Sequence, residues 1–117
     1  MPAAPARPVD IAHLSRYTGG DAALNAEVLQ LFVDQSAMLL LELQGIVETQ
    51  DAKAWKHVTH SLKGAARGIG AFGLADVAAE AEPLNPALQT AETLAAVAAL
   101  KAKADTVRVF IKGYLGG

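Results

Sequence analysis

The placement of its prolines constrains this chain more than any other feature of the sequence. All five prolines lie at positions 2, 5, 8, 83 and 86, so the long apolar segments between Val9 and Glu82, and after Pro86, contain none. Proline in a helix interior removes a backbone hydrogen bond and clashes with the preceding turn. These segments are rich in alanine and leucine, which are strong helix formers, and no alternating run of Val, Ile and Thr predicts a strand. The sequence therefore predicts an all-helical chain.

Aspartates mark the predicted starts of the first three helices, because an aspartate side chain accepts hydrogen bonds from the free N–H groups of a first turn. These capping residues are Asp10, Asp21 and Asp51. The predicted segments are a short helix that Gly19 and Gly20 end, a second helix that runs to about Thr49, and a third helix from Ala52 to about Ile69.

Two prolines delimit the last two predicted helices. A fourth, shorter helix ends before Pro83. The dipeptide Asn85–Pro86 predicts the N-cap and first turn of a fifth helix, which reaches about Leu115. Residues 1–8 have no periodic apolar face and are predicted to be a flexible tail, which leaves residues 9–117 as one domain.

Composition and charge exclude several classes of protein. Hydrophobic residues make up 52% of the 117 residues, which is enough to fill one core and excludes disorder of the whole chain. The formal net charge of −2 gives no basic excess, so we expect no binding to nucleic acid. The absence of cysteine excludes a disulfide scaffold, a zinc–thiolate site and a cysteine nucleophile. Since the sequence also lacks a signal-peptide pattern and a run of about 18 apolar residues, we expect a soluble intracellular protein with no membrane partner.

The predicted second helix has an apolar surface wider than one stripe. Turning about 100° per residue places two apolar stripes on it, roughly a quarter-turn apart. The first stripe consists of Leu24, Val28, Leu31, Leu39 and Ile46, and the second of Leu29, Val33, Leu40 and Val47. This width favours a central bundle helix buried by neighbours on both sides. The alternative is that part of the second stripe stays exposed as a docking surface.

The predicted third helix separates packing residues from polar ones. Its core face, within about 60° on either side of the tryptophan, consists of Trp55, Val58, Leu62, Ala66 and Ile69. On the last helix an equivalent apolar face consists of Val97, Leu100, Ala104, Val107 and Ile111. The other side of the third helix, between roughly 80° and 180°, holds Lys53, Lys56, His60, Lys63, Gly64 and Arg67. His60 is therefore predicted to lie on the solvent side, surrounded by cations.

This basic face suits a histidine that becomes anionic. A phosphoryl group on an imidazole adds negative charge and acceptor oxygens, which Lys63 and Arg67 on the same face can pair. Gly64 costs about 1 kcal/mol of helix propensity relative to alanine, but without a Cβ it lets another protein approach the imidazole closely. The alternative is a solvated basic face on which a histidine happens to lie, and helical periodicity does not separate the two interpretations.

Two further histidines receive no predicted role in chemistry. His57 precedes His60 by three positions, the spacing of two metal ligands on one helix face. No carboxylate or third histidine is obviously placed with them, so we expect no metal site. His13 lies in the short first helix, and Trp55 is assigned to packing.

The segment around His60 reads His60-Ser61-Leu62-Lys63-Gly64-Ala65-Ala66-Arg67-Gly68-Ile69-Gly70-Ala71. This segment resembles the phosphoacceptor motif of histidine-containing phosphotransfer (HPt) domains, which is His-x-Leu-Lys-Gly followed by small residues, an apolar residue, Gly and Ala. The dipeptide Gly20-Asp21 followed by Leu29-x-x-Phe32 resembles a second signature of that family, on the helix before the histidine. The resemblance covers roughly residues 10–112, the length of one such domain.

The resemblance implies both a fold and a chemistry. The expected fold is all-α, an antiparallel four-helix bundle with a short extra N-terminal helix. In this family the histidine accepts a phosphoryl group from the aspartate of a receiver domain and passes it to the aspartate of another. Carried over by position, His60 is the phosphoacceptor, Lys63 steadies the phosphoryl oxygens and Gly64 leaves room for the receiver. Electrostatic support from Arg67 and Lys56 is expected from the helical wheel alone.

The resemblance also implies partners and cofactors. The expected partners are the receiver domains of hybrid histidine kinases and of response regulators. The expected activity is that of a histidine phosphotransferase without ATP-dependent kinase activity. No cofactor is expected, and any Mg²⁺ would belong to the receiver. We expect a cytoplasmic monomer. The start at Met1 with the Gly116–Gly117 end favours a free-standing protein, and the alternative is a piece excised from a larger hybrid kinase. The alternative is a helical docking module for a receiver or kinase that is not phosphorylated, or a homodimeric interaction bundle.

Overall fold

The computed structural model describes residues 7–116, which form five helices. They are α1 (Ile11–Thr18), α2 (Ala22–Thr49), α3 (Ala52–Ile69), α4 (Phe72–Ala81) and α5 (Thr90–Tyr114). No strand occurs between residues 7 and 116, and the predicted all-α fold is confirmed. Within the same range, no helix is both long enough and apolar enough to cross a bilayer. Most of the predicted flexible tail, residues 1–6, lies outside the described residues.

The first three helices begin where the aspartates predict. The side chains of Asp10, Asp21 and Asp51 each accept a hydrogen bond from the backbone N–H three residues further on, at 3.1, 3.0 and 3.0 Å. Each bond satisfies one N–H group that a first turn leaves unpaired. The ends of α2 and α3, at Thr49 and Ile69, also agree with the prediction.

Short connections set the helix directions. Gln50 and Asp51 join α2 to α3, and Gly70 and Ala71 join α3 to α4, so each pair runs antiparallel. Both α2 and α4 contact α3 and α5, which closes a four-helix bundle, and α1 packs on α2 and α3.

The buried faces of α3 and α5 are those that the periodicity predicts. All ten predicted residues are buried, and Trp55 is completely inaccessible to solvent. The indole N–H of Trp55 donates a hydrogen bond to the carbonyl oxygen of Ala81 at 2.9 Å, so the one polar atom of this side chain is satisfied inside the core.

The prediction for α2 is correct only in part: the helix has α3 and α5 as neighbours, as expected of a central helix, but its first stripe is not buried throughout. Leu29 and Val47 of the second stripe are buried, whereas Leu31 of the first stripe is 67% exposed. The buried face also includes a polar residue, Asn25, whose amide N–H groups lie 3.4 Å from the hydroxyl oxygens of Ser15 and Tyr114. Because α2 is apolar on most of its surface, hydrophobicity did not distinguish its inner side. These hydrogen bonds to α1 and α5 identify that side.

The start of the last helix also differs from the prediction. Asn85 and Pro86 open a single turn, and α5 begins only at Thr90. The Asn85 side chain accepts from the N–H of Ala87 at 2.9 Å, and its own N–H donates to the side-chain oxygen of Gln89 at 3.0 Å. Gln89 then has a non-helical backbone conformation, with φ −131° and ψ 57°, which interrupts the helix.

The segment before α1 is fixed to the C-terminal end of α3. Val9 is completely buried, and the N–H of Asp10 donates to the carbonyl oxygen of Gly70 at 3.0 Å. Gly70 has a φ of 83°, and a Cβ at this position would lie 2.6 Å from the carbonyl oxygen of Asp10. Both the backbone conformation and the close approach therefore require glycine.

Candidate functional site

His60 projects from the middle of α3 with its side chain 68% exposed. Lys53, Lys56, Gly64 and Arg67 on the same face are also exposed, as the helical wheel predicts. Lys63 is the exception, since only 17% of its side chain is accessible. The candidate residues therefore share one surface of α3, but one of its lysines is drawn toward the protein.

A carboxylate from another part of the chain binds both His60 and Lys63. One oxygen of Glu82, Oε1, lies 3.2 Å from His60 Nδ1, and the other, Oε2, lies 2.5 Å from Lys63 Nζ. Glu82 is only 17% exposed and caps the C-terminal end of α4. Sequence reasoning missed Glu82, because it is 22 residues from His60 and belongs to no motif. The one available signal is its place directly before the helix-breaking Pro83.

The electrostatics of this cluster keep Glu82 ionised. The hydrogen bond from the Lys63 ammonium lowers the pKa of the Glu82 carboxyl from its ordinary value, and the hydrogen bond with His60 acts in the same direction against partial burial. An ionised carboxylate only accepts hydrogen bonds, so the proton of a neutral His60 lies on Nδ1. The second ring nitrogen, Nε2, then has a free lone pair.

A buried contact between α3 and α4 determines where Glu82 emerges. The Ala81 carbonyl accepts from the Trp55 indole and also from the N–H of Leu84 at 3.1 Å. The backbone N–H of Glu82 itself donates to the Ala78 carbonyl at 3.0 Å. Ala81, the residue before Glu82, is therefore held by the buried Trp55. Because Trp55 lies five residues before His60 on α3, it connects the packing of the core to the site.

A shallow concavity opens beside His60 on the side of the α3 N-terminus. Its volume is about 410 Å³. It is lined by Lys53, Lys56, His57, His60 and Glu82. Lys63 and Arg67 do not line it. Of the cations on this face of α3, Lys53 and Lys56 thus line the concavity, whereas Lys63 and Arg67 do not.

Two glycines, Gly64 and Gly68, leave the surface of α3 open on the C-terminal side of His60. A Cβ built at Gly64 or at Gly68 would have no atom within 4 Å outside its own helical turn. Nothing in the packing of the domain therefore requires glycine at these positions of α3. At Gly64, one turn from His60, the lack of a side chain leaves space for another molecule.

The other histidines lie in different surroundings. Among residues 7–116, no group of three or more His, Asp or Glu side chains is arranged to hold a metal ion. His57 lines the concavity beside His60. His13 packs edge-to-face against Tyr17 and Phe72, with ring centroids 5.3 and 5.1 Å apart, at the other end of the bundle.

Comparisons with known proteins agree on one family. The family model described as "Hpt domain" matches residues 27–109. The structure is similar to the crystal structure of histidine-containing phosphotransfer protein B (HptB) from Pseudomonas aeruginosa PAO1, with a TM-score of 0.80 and 26% sequence identity. That similarity covers 95% of this chain and 95% of the other. No curated protein matches the sequence significantly.

Proposed function

We propose a function from one premise: this chain belongs to the Hpt domain family, whose model matches residues 27–109. The protein is a phosphorelay intermediate in two-component signalling. We assign the phosphoryl group to His60, which accepts it from the aspartate of one receiver domain and passes it to the aspartate of another. The observation that supports this assignment is the contact of His60 Nδ1 with Glu82, which leaves Nε2 as an exposed nucleophile.

The transfer requires little of the domain beyond a correctly oriented ring. In the forward step the Nε2 lone pair attacks phosphorus, the N–P bond forms, and the bond between phosphorus and the aspartyl oxygen breaks to release a carboxylate. Nε2 has no proton to lose, because the ring proton lies on Nδ1 and donates to Glu82. The reverse step uses the same geometry. The acceptor is solvent-exposed, so a receiver can reach it without a conformational change of the bundle.

Glu82 acts as a positioning residue in this mechanism. Its carboxylate fixes the tautomer and the ring angle of His60 and stabilises the positive charge that the ring gains on phosphorylation. Lys63 holds the other carboxylate oxygen at 2.5 Å and so keeps Glu82 ionised. Gly64 provides the open surface on which the receiver's active site rests.

The partners of this proposal are receiver domains of hybrid histidine kinases and response regulators. We expect the chain to bring no cofactor to the complex, and Mg²⁺ to be held by the receiver. The cytoplasmic location and the monomeric state also stay predictions.

Transfer from a receiver domain charged with labelled phosphate tests the assignment. The wild-type chain should take up label that is acid-labile and alkali-stable, and His60→Gln should take up none. His57→Gln is the matched control, because it removes an exposed histidine of the same concavity and should be labelled like the wild type. Label on folded His60→Gln would contradict the assignment. A folded wild-type chain that binds receivers without accepting phosphate would instead be a docking module.

A further inference from the structure

Lys63 is neutralised inside the domain. Its ammonium lies 2.5 Å from Glu82 Oε2, and only 17% of each side chain is accessible. The carboxylate offsets the charge of the ammonium in such a pair and occupies one of its three N–H donors, so fewer donors are available to another acceptor. Lys63 is thus poorly placed to be the main partner of a second anion beside His60.

Two other lysines lie next to His60 with no such partner. Lys53 and Lys56 are exposed, line the concavity that also contains His60, and have no carboxylate within 4.0 Å among residues 7–116. Lys56 is one helical turn before His60, at the spacing at which side chains on one face meet. Between Ala52 and Ile69, α3 contains no acidic residue that could compete for these cations.

The position of His60 favours this concavity as the place of the phosphoryl group. His60 lines it together with Lys56, one turn before it on α3. Nδ1 is in contact with Glu82, so Nε2 is the ring nitrogen left to carry the phosphoryl group. Side chains on a helix lean toward its N-terminus, which is the side of His60 where the concavity lies.

We propose that Lys53 and Lys56 form the binding site for the phosphoryl group on His60, while Lys63 serves to hold Glu82. This inference rests on the proposed function and specifies which groups stabilise the phosphorylated form. A phosphoryl dianion there meets two cations that no carboxylate offsets. Glu82, the one carboxylate lining the concavity, is already paired with Lys63, which limits its repulsion of the dianion. Arg67 lies outside the concavity and contributes little.

Phosphorylation with potassium phosphoramidate tests the site without a receiver, so that docking does not affect the result. The variants are Lys53→Gln, Lys56→Gln, the double variant and Arg67→Gln, an exposed cation of the same helix that does not line the concavity. We expect each lysine variant to lower the phosphorylated fraction at equilibrium about two- to fivefold, and the double variant to lower it further. Nearby cations stabilise the dianion of the phosphoryl group and lower its second pKa. In ³¹P NMR titrations this pKa should therefore be higher in the double variant, which lacks both lysines.

The outcomes separate this inference from the proposed function. If the wild type is labelled on His60 but the double variant matches it in phosphorylated fraction and ³¹P titration, the phosphoryl site is wrong while the function stands. The same holds if Arg67→Gln has the larger effect. If neither phosphoramidate nor charged receivers label the folded wild type, both the function and this site fail. Circular dichroism of the variants should be unchanged, because the replaced side chains are exposed.

Discussion

Lys63 Nζ lies 2.5 Å from Glu82 Oε2, and the two side chains are equally shielded from solvent, each with 17% of its surface accessible. The pair joins the middle of α3 to the end of α4 at the point where His60 emerges. A single ion pair at the periphery of a domain makes only a modest contribution to stability. The main effect of this pair is to hold the Glu82 carboxylate in a fixed position beside the exposed imidazole of His60.

The Glu82 carboxylate should make stability depend on acid pH. Its pKa is lowered by Lys63 and His60, both on α3, so its contribution is present above the ordinary Glu pKa of about 4.3 and is lost as pH falls through the lowered value. Thermal unfolding should therefore show a larger loss of Tm on acidification for the wild type than for Glu82→Gln. Equal losses in the two proteins would contradict the pairing.

Replacing Glu82 should change the tautomer of His60 while leaving the fold intact. Glu82→Gln retains an oxygen that can accept from Nδ1–H, whereas Glu82→Ala removes it. We expect phosphotransfer to His60 to slow in the order wild type, Gln, Ala, with the alanine variant about tenfold slower, as expected for one lost charge-assisted hydrogen bond. ¹⁵N NMR of the imidazole should show Nδ1–H in the wild type and a larger share of Nε2–H in Glu82→Ala. An unchanged tautomer would show that Glu82 does not orient the ring.

Glycine at position 64 should favour docking of a receiver and lower the free energy of unfolding. A Cβ there meets no atom of the domain within 4 Å, so Gly64→Ala should raise the free energy of unfolding by roughly 0.5–1 kcal/mol. The same substitution should slow transfer from a receiver, because the added methyl group lies one turn from His60. Gly68→Ala is the control: it meets equally open space and should stabilise the chain while leaving transfer rates close to wild type. Urea unfolding and transfer assays on both variants check this, and equal transfer rates would exclude a steric role for Gly64.

Trp55→Phe should affect both the core and the site. It removes the 2.9 Å hydrogen bond to the Ala81 carbonyl and part of a fully buried side chain, at a cost of about 1–3 kcal/mol in the free energy of unfolding. The Ala81 carbonyl keeps its bond from Leu84, so the turn should still form. Because Ala81 precedes Glu82, the NMR signals of the His60 ring should shift as well. A loss of stability with unchanged His60 signals would confine Trp55 to packing.

Most of the fold could be predicted from local signals in the sequence. The aspartate caps and the single apolar faces of α3 and α5 depend on neighbouring residues, and each was confirmed. The prediction failed chiefly where tertiary contacts decide, as on the inner side of α2, which depends on the hydrogen bonds of Asn25 to distant residues. The start of α5 depends instead on a local hydrogen bond, from the N–H of Asn85 to the side chain of Gln89.

The candidate site was predictable only in part, for the same reason. Periodicity placed His60 on an exposed basic face of α3, because residues of one helix share a fixed geometry. It did not indicate that Lys63 is largely shielded from solvent, or that Glu82 would bind it, because that contact joins the middle of α3 to the end of α4 through the packing of the two helices. A lysine and a glutamate 19 residues apart have no local signal that relates them.

The bond between Asp10 and Gly70 determines where a fused polypeptide would leave the domain. Its point of attachment is at the C-terminal end of α3, ten residues and hence about 15 Å along the helix axis from His60. A purification tag, a fluorophore or a tethered receiver joined ahead of Arg7 would start near the C-terminal end of α3, away from His60 in the middle of that helix. An N-terminal fusion therefore offers a way to immobilise the protein with the surface around His60 directed toward the solution.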